Sequence, residues 1–408
     1  MPRVKRLLSN PKKGTLARAT WGSLVGPRRE SQLGLDVHLD ATYRWLCAAQ
    51  DANPDGGVAG YYDLFEGSWS ASYPETTGYI IPTFLALAEL RSDGEARERA
   101  LRMADWETAI QMEDGAVLSG LMKIQRGPAV FNTGQALFGW IAALEVTGSE
   151  RYATAARAAA EWLVSRQDAD GAWRRDLSQL TTGSAPTYNV RCAWALAYAG
   201  SVLEDARLME AALSNSDWVL TRQNEAGWFA GAGFTDEEVP LLHTISYVIE
   251  GLLGVYAISG ERRYLDAVTR ALDPVVDLYR AGRLAGHLDS YWQGTVSWRC
   301  VTGDAQIAVV LLRLDRHCPG NGYAQTARRL IDDVAKMQLQ LAPLPNGRGN
   351  GSRKASSPVS GGVPGSSPIW GNYMRFACAN WAAKFYLDAL LLEVYGVDEK
   401  SFGALSAR

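Results

Sequence analysis

A segment that begins with Trp and ends with Gln recurs along the chain at a fixed interval. The segment Trp106–Gln111 is repeated as Trp162–Gln167 and Trp218–Gln223, so these three copies are equally spaced. A fourth copy, Trp45–Gln50, keeps the internal spacing and lies slightly further from its neighbour than the others do. In the copies that begin at Trp106, Trp162 and Trp218, a glycine follows the Gln by four residues. A long, regular repeat of this kind indicates an array of equivalent supersecondary units that bury their apolar faces against one another.

Each repeat unit has two halves, and both carry apolar residues at positions i, i+3, i+4 and i+7, which predicts two helices per unit. The predicted outer helices lie near 36–50, 94–111, 149–167, 204–223, 261–280 and 322–341. The predicted inner helices are more apolar on all sides and lie near 76–90, 131–147, 188–201, 243–259, 301–315 and 378–395. Six consecutive helical hairpins of about 56 residues predict an all-α fold, an (α/α)6 toroid with an inner and an outer ring.

The net charge of −3 is unevenly distributed along the chain. Residues 1–30 hold eight Lys or Arg and one acidic residue, which gives a basic N-terminal arm with a charge of +7. This arm is either a solvated tail or a contact for an anionic membrane or a phosphate-bearing carrier. The toroid is predicted over 31–396 and a tail over 397–408. A Gly-, Ser- and Pro-rich insertion at 342–372 is interpreted as a lid over one mouth in preference to a tolerated loop.

Several absences restrict the compartment and the chemistry. The sequence has no secretory h-region, no run of eighteen apolar residues, and five cysteines without a CxxC pair. These features favour a cytoplasmic protein, located at the inner face of the membrane if the arm binds lipid. HExxH, GxSxG and P-loop motifs are absent, and no His/Cys set has ligand spacing, so neither a metal nor another cofactor is expected. A nucleic acid partner is not expected either.

Residues at equivalent repeat positions occupy equivalent heights in a closed ring. At the starts of the inner helices these positions are polar and differ from repeat to repeat. Capping explains Asn132 and Asn380, because side chains of this type satisfy the first backbone N–H groups of a helix. Capping does not explain Arg191 or His243, since cations are favourable at the opposite helix end. The positions in question are Glu75, Asn132, Tyr188, His243, Arg299 and Asn380, with Tyr79, Gln135, Arg191 and Tyr247 one turn deeper. They predict a polar mouth that binds substrate.

Glu75 is the first candidate for acid–base chemistry. It lies in SYPETTGY (72–79), between Tyr73 and Tyr79, and an aromatic setting raises the pKa of a carboxyl group toward neutrality. The alternative is an ordinary acidic residue in the first turn of a helix. Tyr79 is a candidate proton donor and Tyr73 a substrate-binding residue.

A second candidate group lies on two other inner helices. His243 and Tyr247 are one helical turn apart and would form a base and hydroxyl pair, although a lone His is often a satisfied core residue. Arg191 would bind a carboxylate or phosphate, or else form an internal ion pair with Glu75.

The loops that lead into the inner helices supply further substrate-binding candidates. Indoles near acidic residues suit the apolar faces of sugar rings, whereas the structural alternative is loop anchoring. These candidates are Asp63, Trp69, Trp298 and Arg299, together with Tyr373, Asn380 and Lys384 after the insertion.

The segment WLVSRQDADGAW (162–173) resembles the QW motif of squalene and hopene cyclases and of prenyltransferase β subunits. The DxDD acid motif and the prenyltransferase zinc arrangement are absent. This resemblance therefore implies a toroid and makes terpene chemistry the least favoured alternative.

A second resemblance concerns function. SYPETTGYIIPT (72–83), FNTGQALFGW (131–140) and NWAAKFYLDALL (380–391) are similar to glycan-active toroids of bacterial surface-polysaccharide clusters. Related toroids are N-acylglucosamine 2-epimerases, unsaturated glucuronyl hydrolases, uronate lyases and glucuronyl C5-epimerases. The resemblance implies an enzyme that acts on a uronate-containing oligo- or polysaccharide, free or lipid-linked, by epimerisation or β-elimination.

The leading interpretation assigns roles to the candidate residues. Arg191 would neutralise the uronate, His243 or Glu75 would abstract the C5 proton, and Tyr247 or Tyr79 would return a proton. One alternative is glycoside hydrolysis, which requires paired carboxylates. The pairs available combine Glu75 with Asp63, Glu66 or Asp304. A further alternative is a non-catalytic scaffold that binds a glycan or a lipid carrier.

Overall fold

A computed structural model describes residues 20, 33–124, 126–235, 239–339 and 358–396. In these ranges twelve α-helices alternate between an outer and an inner ring. The outer helices are α1 Leu35–Asp51, α3 Gly94–Ile110, α5 Glu150–Arg166, α7 Ala206–Leu220, α9 Arg262–Arg280 and α11 Tyr323–Met337. The inner helices are α2 Pro74–Arg91, α4 Val130–Thr147, α6 Val190–Leu203, α8 Leu242–Ser259, α10 Val301–His317 and α12 Asn380–Tyr395. The predicted all-α (α/α)6 toroid is confirmed.

The predicted domain limits lie partly outside the described residues. The basic arm 1–30, apart from Thr20, and the tail 397–408 are outside them, as is the part of the insertion up to residue 357. Among the described helices, α8 alone has the length and composition of a membrane span, and 78% of that span is buried inside the protein.

The ring closes where the last inner helix packs against the first hairpin. Nδ2 of Asn380 donates hydrogen bonds to the carbonyl of Ala59 at 2.9 Å and to Oγ1 of Thr76 at 2.8 Å. One level deeper, Oγ1 of Thr83 donates to Oδ1 of Asp388 at 2.7 Å. These contacts join residues about three hundred positions apart, so α12 and α2 become neighbours in the inner ring.

The repeated Gln joins neighbouring outer helices. Nε2 of Gln167 donates to the carbonyl of Gly171 at 3.1 Å and to the carbonyl of Ala211 in α7 at 2.9 Å. Gln111 and Gln223 make the same two bonds in their own repeats. The sequence pattern therefore marks the contact that stacks one hairpin on the next.

A further copy of this contact, which the sequence analysis missed, closes the outer ring. Nε2 of Gln338 donates to the carbonyl of Gly361 and to Oγ1 of Thr42 in α1, both at 2.8 Å. The Gln and the Gly are separated here by 23 residues because the insertion lies between them. The fixed four-residue spacing is lost, although the contact is kept.

Short strands, which the sequence analysis did not predict, lie before the inner helices. β1 Tyr61–Asp63 pairs on one side with β2 Ser68–Trp69 and on the other with β5 Ala377–Ala379. β3 Arg299–Cys300 pairs with β4 Ser366–Ser367. The described end of the insertion, 358–372, is thereby tied to the rim at the N-terminal end of α10. Val359, Val363 and Ile369 of this segment are buried. A lid over the mouth stays a prediction.

Candidate functional site

Charged and polar side chains from several inner helices meet around one guanidinium group. Nε of Arg191 in α6 donates to Oε1 of Gln135 in α4 at 2.7 Å, and Nη1 forms an ion pair with Oε2 of Glu250 in α8. Both side chains of the ion pair are only 3% exposed. Arg191 therefore forms its internal ion pair with Glu250, and not with Glu75 as the alternative interpretation expected.

Aromatic rings enclose the same guanidinium. A cation within about 6 Å of a ring centroid is attracted by the negative face of the ring. The distances from the guanidinium carbon to the centroids are 5.6 Å for Tyr79 and Phe138, 5.3 Å for Trp194, 5.1 Å for Tyr247 and 5.4 Å for Phe385. Five inner helices, α2, α4, α6, α8 and α12, thus contribute to one cluster.

Glu75 lies in the first turn of α2, directly after Pro74. The hydroxyl of Tyr73 donates a hydrogen bond of 2.5 Å to its Oε2. Burial raises the pKa of Glu75 to about 7, while the Tyr73 hydrogen bond and the charge of Arg191 lower it. A carboxyl group with such a pKa can act as an acid or as a base near neutral pH.

His243 lies in the first turn of α8, one turn before Tyr247 of the cluster. Its Nδ1 lies 2.6 Å from Oε1 of Gln306, and its ring centroid is 4.4 Å from that of Tyr247 and 5.7 Å from that of Tyr373. Burial lowers the pKa of His243 to about 4, against the raising effect of Gln306. The imidazole is therefore neutral at pH 7.

The phenols of Tyr79 and Tyr247 are buried and protonated at neutral pH. Burial is the largest cause that raises the pKa of each. In the described part of the chain, neither hydroxyl has a hydrogen-bond partner other than the other one. A buried hydroxyl without a protein partner is available to a ligand.

Lys384 forms the second buried ion pair. Its Nζ is 2.6 Å from Oδ2 of Asp388, one turn further along α12. Burial lowers the pKa of Lys384, and Asp388 opposes this effect. Arg191 and Lys384 each have a carboxylate partner, whereas the hydrogen bond to Glu75 comes from a neutral phenol.

Four other predicted residues, Tyr188, Tyr373, Asn132 and Asn380, have internal contacts in the described part of the chain. The Phe131 ring packs edge-on against that of Tyr188 at 5.3 Å and at a tilt against that of Tyr247 at 5.0 Å. Nε1 of Trp381 donates to the hydroxyl of Tyr373 at 2.8 Å. Asn132 donates to the carbonyl of Leu118 at 3.3 Å, and Asn380 makes the ring-closing bonds described above.

The two loop indoles have packing partners. The Trp69 ring lies 4.9 Å from that of Trp45 and 5.1 Å from that of Tyr62, on the side of the outer helix α1. The Trp298 ring lies 5.3 Å from that of His287. These contacts match the structural alternative, loop anchoring, and sugar stacking by either indole stays a prediction.

The loop charges are also bound internally. Oδ1 of Asp63 accepts hydrogen bonds from the backbone N–H groups of Phe65 and Glu66 at 2.7 and 2.9 Å. Arg299 forms ion pairs with Asp304 at 3.1 Å and with Asp333 at 2.9 Å. Asp63 and Asp304 are two of the three carboxylates proposed as partners of Glu75, and neither joins the Arg191 cluster by any of these contacts.

Three polar residues of the cluster, Glu250, Gln306 and Asp388, were not predicted from the sequence, nor were the aromatic residues Phe138, Trp194 and Phe385. Each of the three polar residues lies within an inner helix and is buried. Glu250 and Gln306 are separated by exactly one repeat, so they lie at one level of the ring, and that spacing was a usable signal. In the described ranges no group of three or more His, Cys, Asp or Glu could hold a metal ion.

Comparison with solved structures shows the same fold in sugar-active enzymes. An unsaturated glucuronyl hydrolase specific for heparin has a TM-score of 0.67 and 16% identity, over 90% of this chain and 99% of that chain. Cellobiose 2-epimerase from Bacillus thermoamylovorans has a TM-score of 0.65 and 13% identity, over 87% and 97%. D-mannose isomerase has a TM-score of 0.59 and 13% identity, over 76% and 88%. No family model and no curated protein sequence matches the chain.

Proposed function

We propose that the protein is a carbohydrate-active enzyme that transfers a proton on a sugar unit of an oligo- or polysaccharide. The observation that carries this proposal is the meeting of Glu75, His243 and the phenols of Tyr79 and Tyr247 around Arg191. Proton transfer needs a group whose pKa lies near the working pH, and Glu75 has one. The named substrates of the similar structures are a glucuronyl group, cellobiose and D-mannose, which supports a sugar substrate here.

The charges of the cluster restrict how an anionic sugar could bind: Arg191 is already paired, so a uronate would share it with Glu250. Arg191 is paired with Glu250 and Lys384 with Asp388, whereas Glu75 forms no ion pair among the described residues and only feels the charge of Arg191. A uronate carboxylate bound beside Glu75 would raise the pKa of Glu75 further, because like charges disfavour ionisation. Glu75 would then stay protonated and serve as the acid, while neutral His243 would accept the C5 proton. Arg191 would stabilise the negative charge that develops on the uronate.

Epimerisation and β-elimination share this first step. In epimerisation, a phenol of Tyr79 or Tyr247 would return a proton to the opposite face of C5. In β-elimination, the same phenol or Glu75 would protonate the leaving oxygen. Both outcomes start with loss of the C5 proton, but in D2O epimerisation leaves solvent deuterium at C5, elimination leaves a double bond between C4 and C5, and hydrolysis leaves C5 untouched.

Glycoside hydrolysis is the second candidate, and the raised pKa of Glu75 favours it. A hydrolase needs a protonated carboxyl group as the acid and a second carboxylate as the base or nucleophile. Glu250 shares Arg191 with Glu75 and is the better second carboxylate, since Asp304 is bound to Arg299.

Incubation with uronate oligosaccharides in D2O separates these functions. C5 deuteration without cleavage indicates epimerisation, and ultraviolet absorbance of an unsaturated uronate indicates elimination. New reducing ends alone indicate hydrolysis. Glu75→Gln should abolish turnover, whereas Glu113→Gln, on an exposed residue between α3 and α4, should leave it unchanged. Oligosaccharide binding without chemical change would contradict the enzymatic proposal and favour a scaffold.

We further propose that the substrate is a bacterial surface polysaccharide, presented on a lipid carrier at the cytoplasmic membrane face. The basic arm 1–30, with its charge of +7, supports this location. Flotation with vesicles that contain anionic phospholipid should retain the full chain, and neutral vesicles should not. Replacement of Lys5, Arg6, Lys12 and Lys13 by Glu should abolish flotation, and retention of the variant would refute the role of the arm.

A further inference from the structure

We propose that Gln306 is a positioning residue that fixes the tautomer of His243. Gln306 lies on α10 and touches two residues of α8. Its Nε2 is 3.3 Å from Oε2 of Glu250, and its Oε1 is 2.6 Å from Nδ1 of His243. The inference rests on the proposed function only for the consequence that His243 acts as a base.

The orientation of the Gln306 amide follows from Glu250. Glu250 is buried against Arg191, and an ionised carboxylate only accepts hydrogen bonds. The Gln306 atom that faces Glu250 must therefore be the NH2 group, because an amide oxygen there would face another acceptor. The oxygen and nitrogen ends of the Gln306 amide have nearly the same shape. The hydrogen-bonding groups of its neighbours therefore decide which end faces Glu250 and which faces His243.

The tautomer of His243 follows from Gln306 in the same way. With its NH2 group directed to Glu250, the amide presents its oxygen to Nδ1 of His243. An amide oxygen only accepts, so the proton of the neutral imidazole lies on Nδ1. Nε2 then carries the free lone pair and becomes the one nitrogen of the ring that can accept a substrate proton.

The repeat supports a special role for this pair. Gln306 and Glu250 occupy equivalent positions in successive repeats, and the equivalent positions of the two preceding repeats hold Trp194 and Phe138. Both aromatic rings pack on the Arg191 guanidinium. Aromatic packing therefore suffices at this level, and two buried polar side chains there cost stability unless they bind each other and His243.

The test is a nitrogen NMR spectrum of the full-length protein labelled with 15N at its four histidines. Disappearance of one set of signals in His243→Gln assigns His243. In the wild type, Nδ1 of His243 should be protonated and Nε2 unprotonated. His287 is an internal control, because its Nδ1 lies 2.6 Å from the carbonyl of Val239 and must carry the proton in every variant.

Two variants separate positioning from packing. Gln306→Leu removes the acceptor, so the Nε2–H form of His243 should become populated. Gln306→Glu retains an acceptor and should keep the proton on Nδ1. A wild-type proton on Nε2, or a Gln306→Leu spectrum identical to that of the wild type, overturns the proposal. If Gln306→Leu does not fold, the wild-type and Gln306→Glu spectra decide.

Turnover gives an independent result. In Gln306→Leu, the tautomer of His243 with its proton on Nδ1 is no longer favoured, so the general base is lost. This loss should lower kcat by on the order of 100-fold with little change in KM. An Nδ1–H signal in a protein that turns over no sugar supports the positioning role and contradicts the proposed function. The two failures are therefore distinguishable.

Discussion

The hydroxyl of Tyr73 donates a hydrogen bond of 2.5 Å to Oε2 of Glu75, two residues further along the chain. Both side chains are buried at the start of α2, which separates them from bulk water. Burial raises the pKa of Glu75, whereas the hydrogen bond stabilises the ionised form and lowers it. Tyr73 therefore adjusts the pH range over which Glu75 loses its proton.

Tyr73→Phe should raise the pKa of Glu75 by about one unit above its value in the wild type, since one charge-assisted hydrogen bond is lost. The pH profile of kcat/KM measures this shift. Activity falls above the pKa if Glu75 acts as the acid and below it if Glu75 acts as the base; in both cases the midpoint should move upward. Tyr152→Phe, which removes a phenol bound to Asp105 in the outer ring, should leave the midpoint unchanged.

The fold was predictable because one contact repeats. The bond from Gln167 to the carbonyl of Ala211 recurs in neighbouring repeats, so the spacing of the Gln residues encodes the stacking of hairpins. The Gln338 contact was hidden because the insertion separates it from Gly361. Two of the three strand pairings were unpredictable for another reason: β1–β5 and β3–β4 join segments that are far apart in sequence, such as Tyr61 and Ala379.

The site was predictable only in part. Equivalent positions in the ring identified Gln135, Arg191 and Tyr247, because symmetry alone brings them to one level. The partner of Arg191 could not be predicted, since the choice between Glu75 and Glu250 depends on side-chain direction and depth. The position of a residue along a helix does not determine the direction or the depth of its side chain, because both also depend on the residues packed around it.

The Arg191–Glu250 pair should show strong coupling. Arg191→Met leaves a buried carboxylate without its cation and should lower the free energy of unfolding by about 3–5 kcal/mol. The double variant Arg191→Met, Glu250→Met should cost less than the sum of the single changes. Urea denaturation of all four proteins measures the coupling. The exposed pair Arg263–Asp217 is the matched control and should couple by less than about 1 kcal/mol. Equal coupling in the two pairs would contradict the expectation.

Glu107 should destabilise the protein at neutral pH. It is buried in α3 at the position four residues before the repeated Gln, and in the described part of the chain its carboxylate oxygens have no hydrogen-bond partner. The equivalent residues of other repeats are buried and aliphatic: Leu46, Leu163, Val219 and Val334. Glu107→Leu should therefore raise the free energy of unfolding at pH 7 by about 1–3 kcal/mol.

The pH dependence of this gain has a defined sign. Burial raises the folded-state pKa of Glu107 well above its ordinary value of 4.5. Below about pH 4.5, Glu107 is protonated in both the folded and the unfolded protein, and burial then costs no ionisation energy. As the pH rises from there toward the folded-state pKa, only the unfolded protein loses this proton, so the free energy of unfolding falls. Urea denaturation from pH 4 to 8 should show an advantage of Glu107→Leu that grows with pH. Leu163→Glu should create the same dependence in the next repeat, and a pH-independent difference in either variant would refute this account.

Replacement of Gly171 by any other residue should lower the free energy of unfolding for two reasons: its backbone conformation and its close contact with α7. Its φ is +91°, and an added Cβ would lie 2.3 Å from the carbonyl oxygen of Ser214 in α7, the helix that Gln167 also binds. Gly148 has a φ of +64° and no atom within 4 Å of an added Cβ, which makes it a matched control. Gly148→Ala should lower the free energy of unfolding by about 1 kcal/mol from backbone strain alone. Gly171→Ala should cost more than about 3 kcal/mol, because α5 and α7 must also move apart. Thermal and urea denaturation of both variants measure the difference, and equal losses would show that the close contact between the repeats contributes nothing beyond strain.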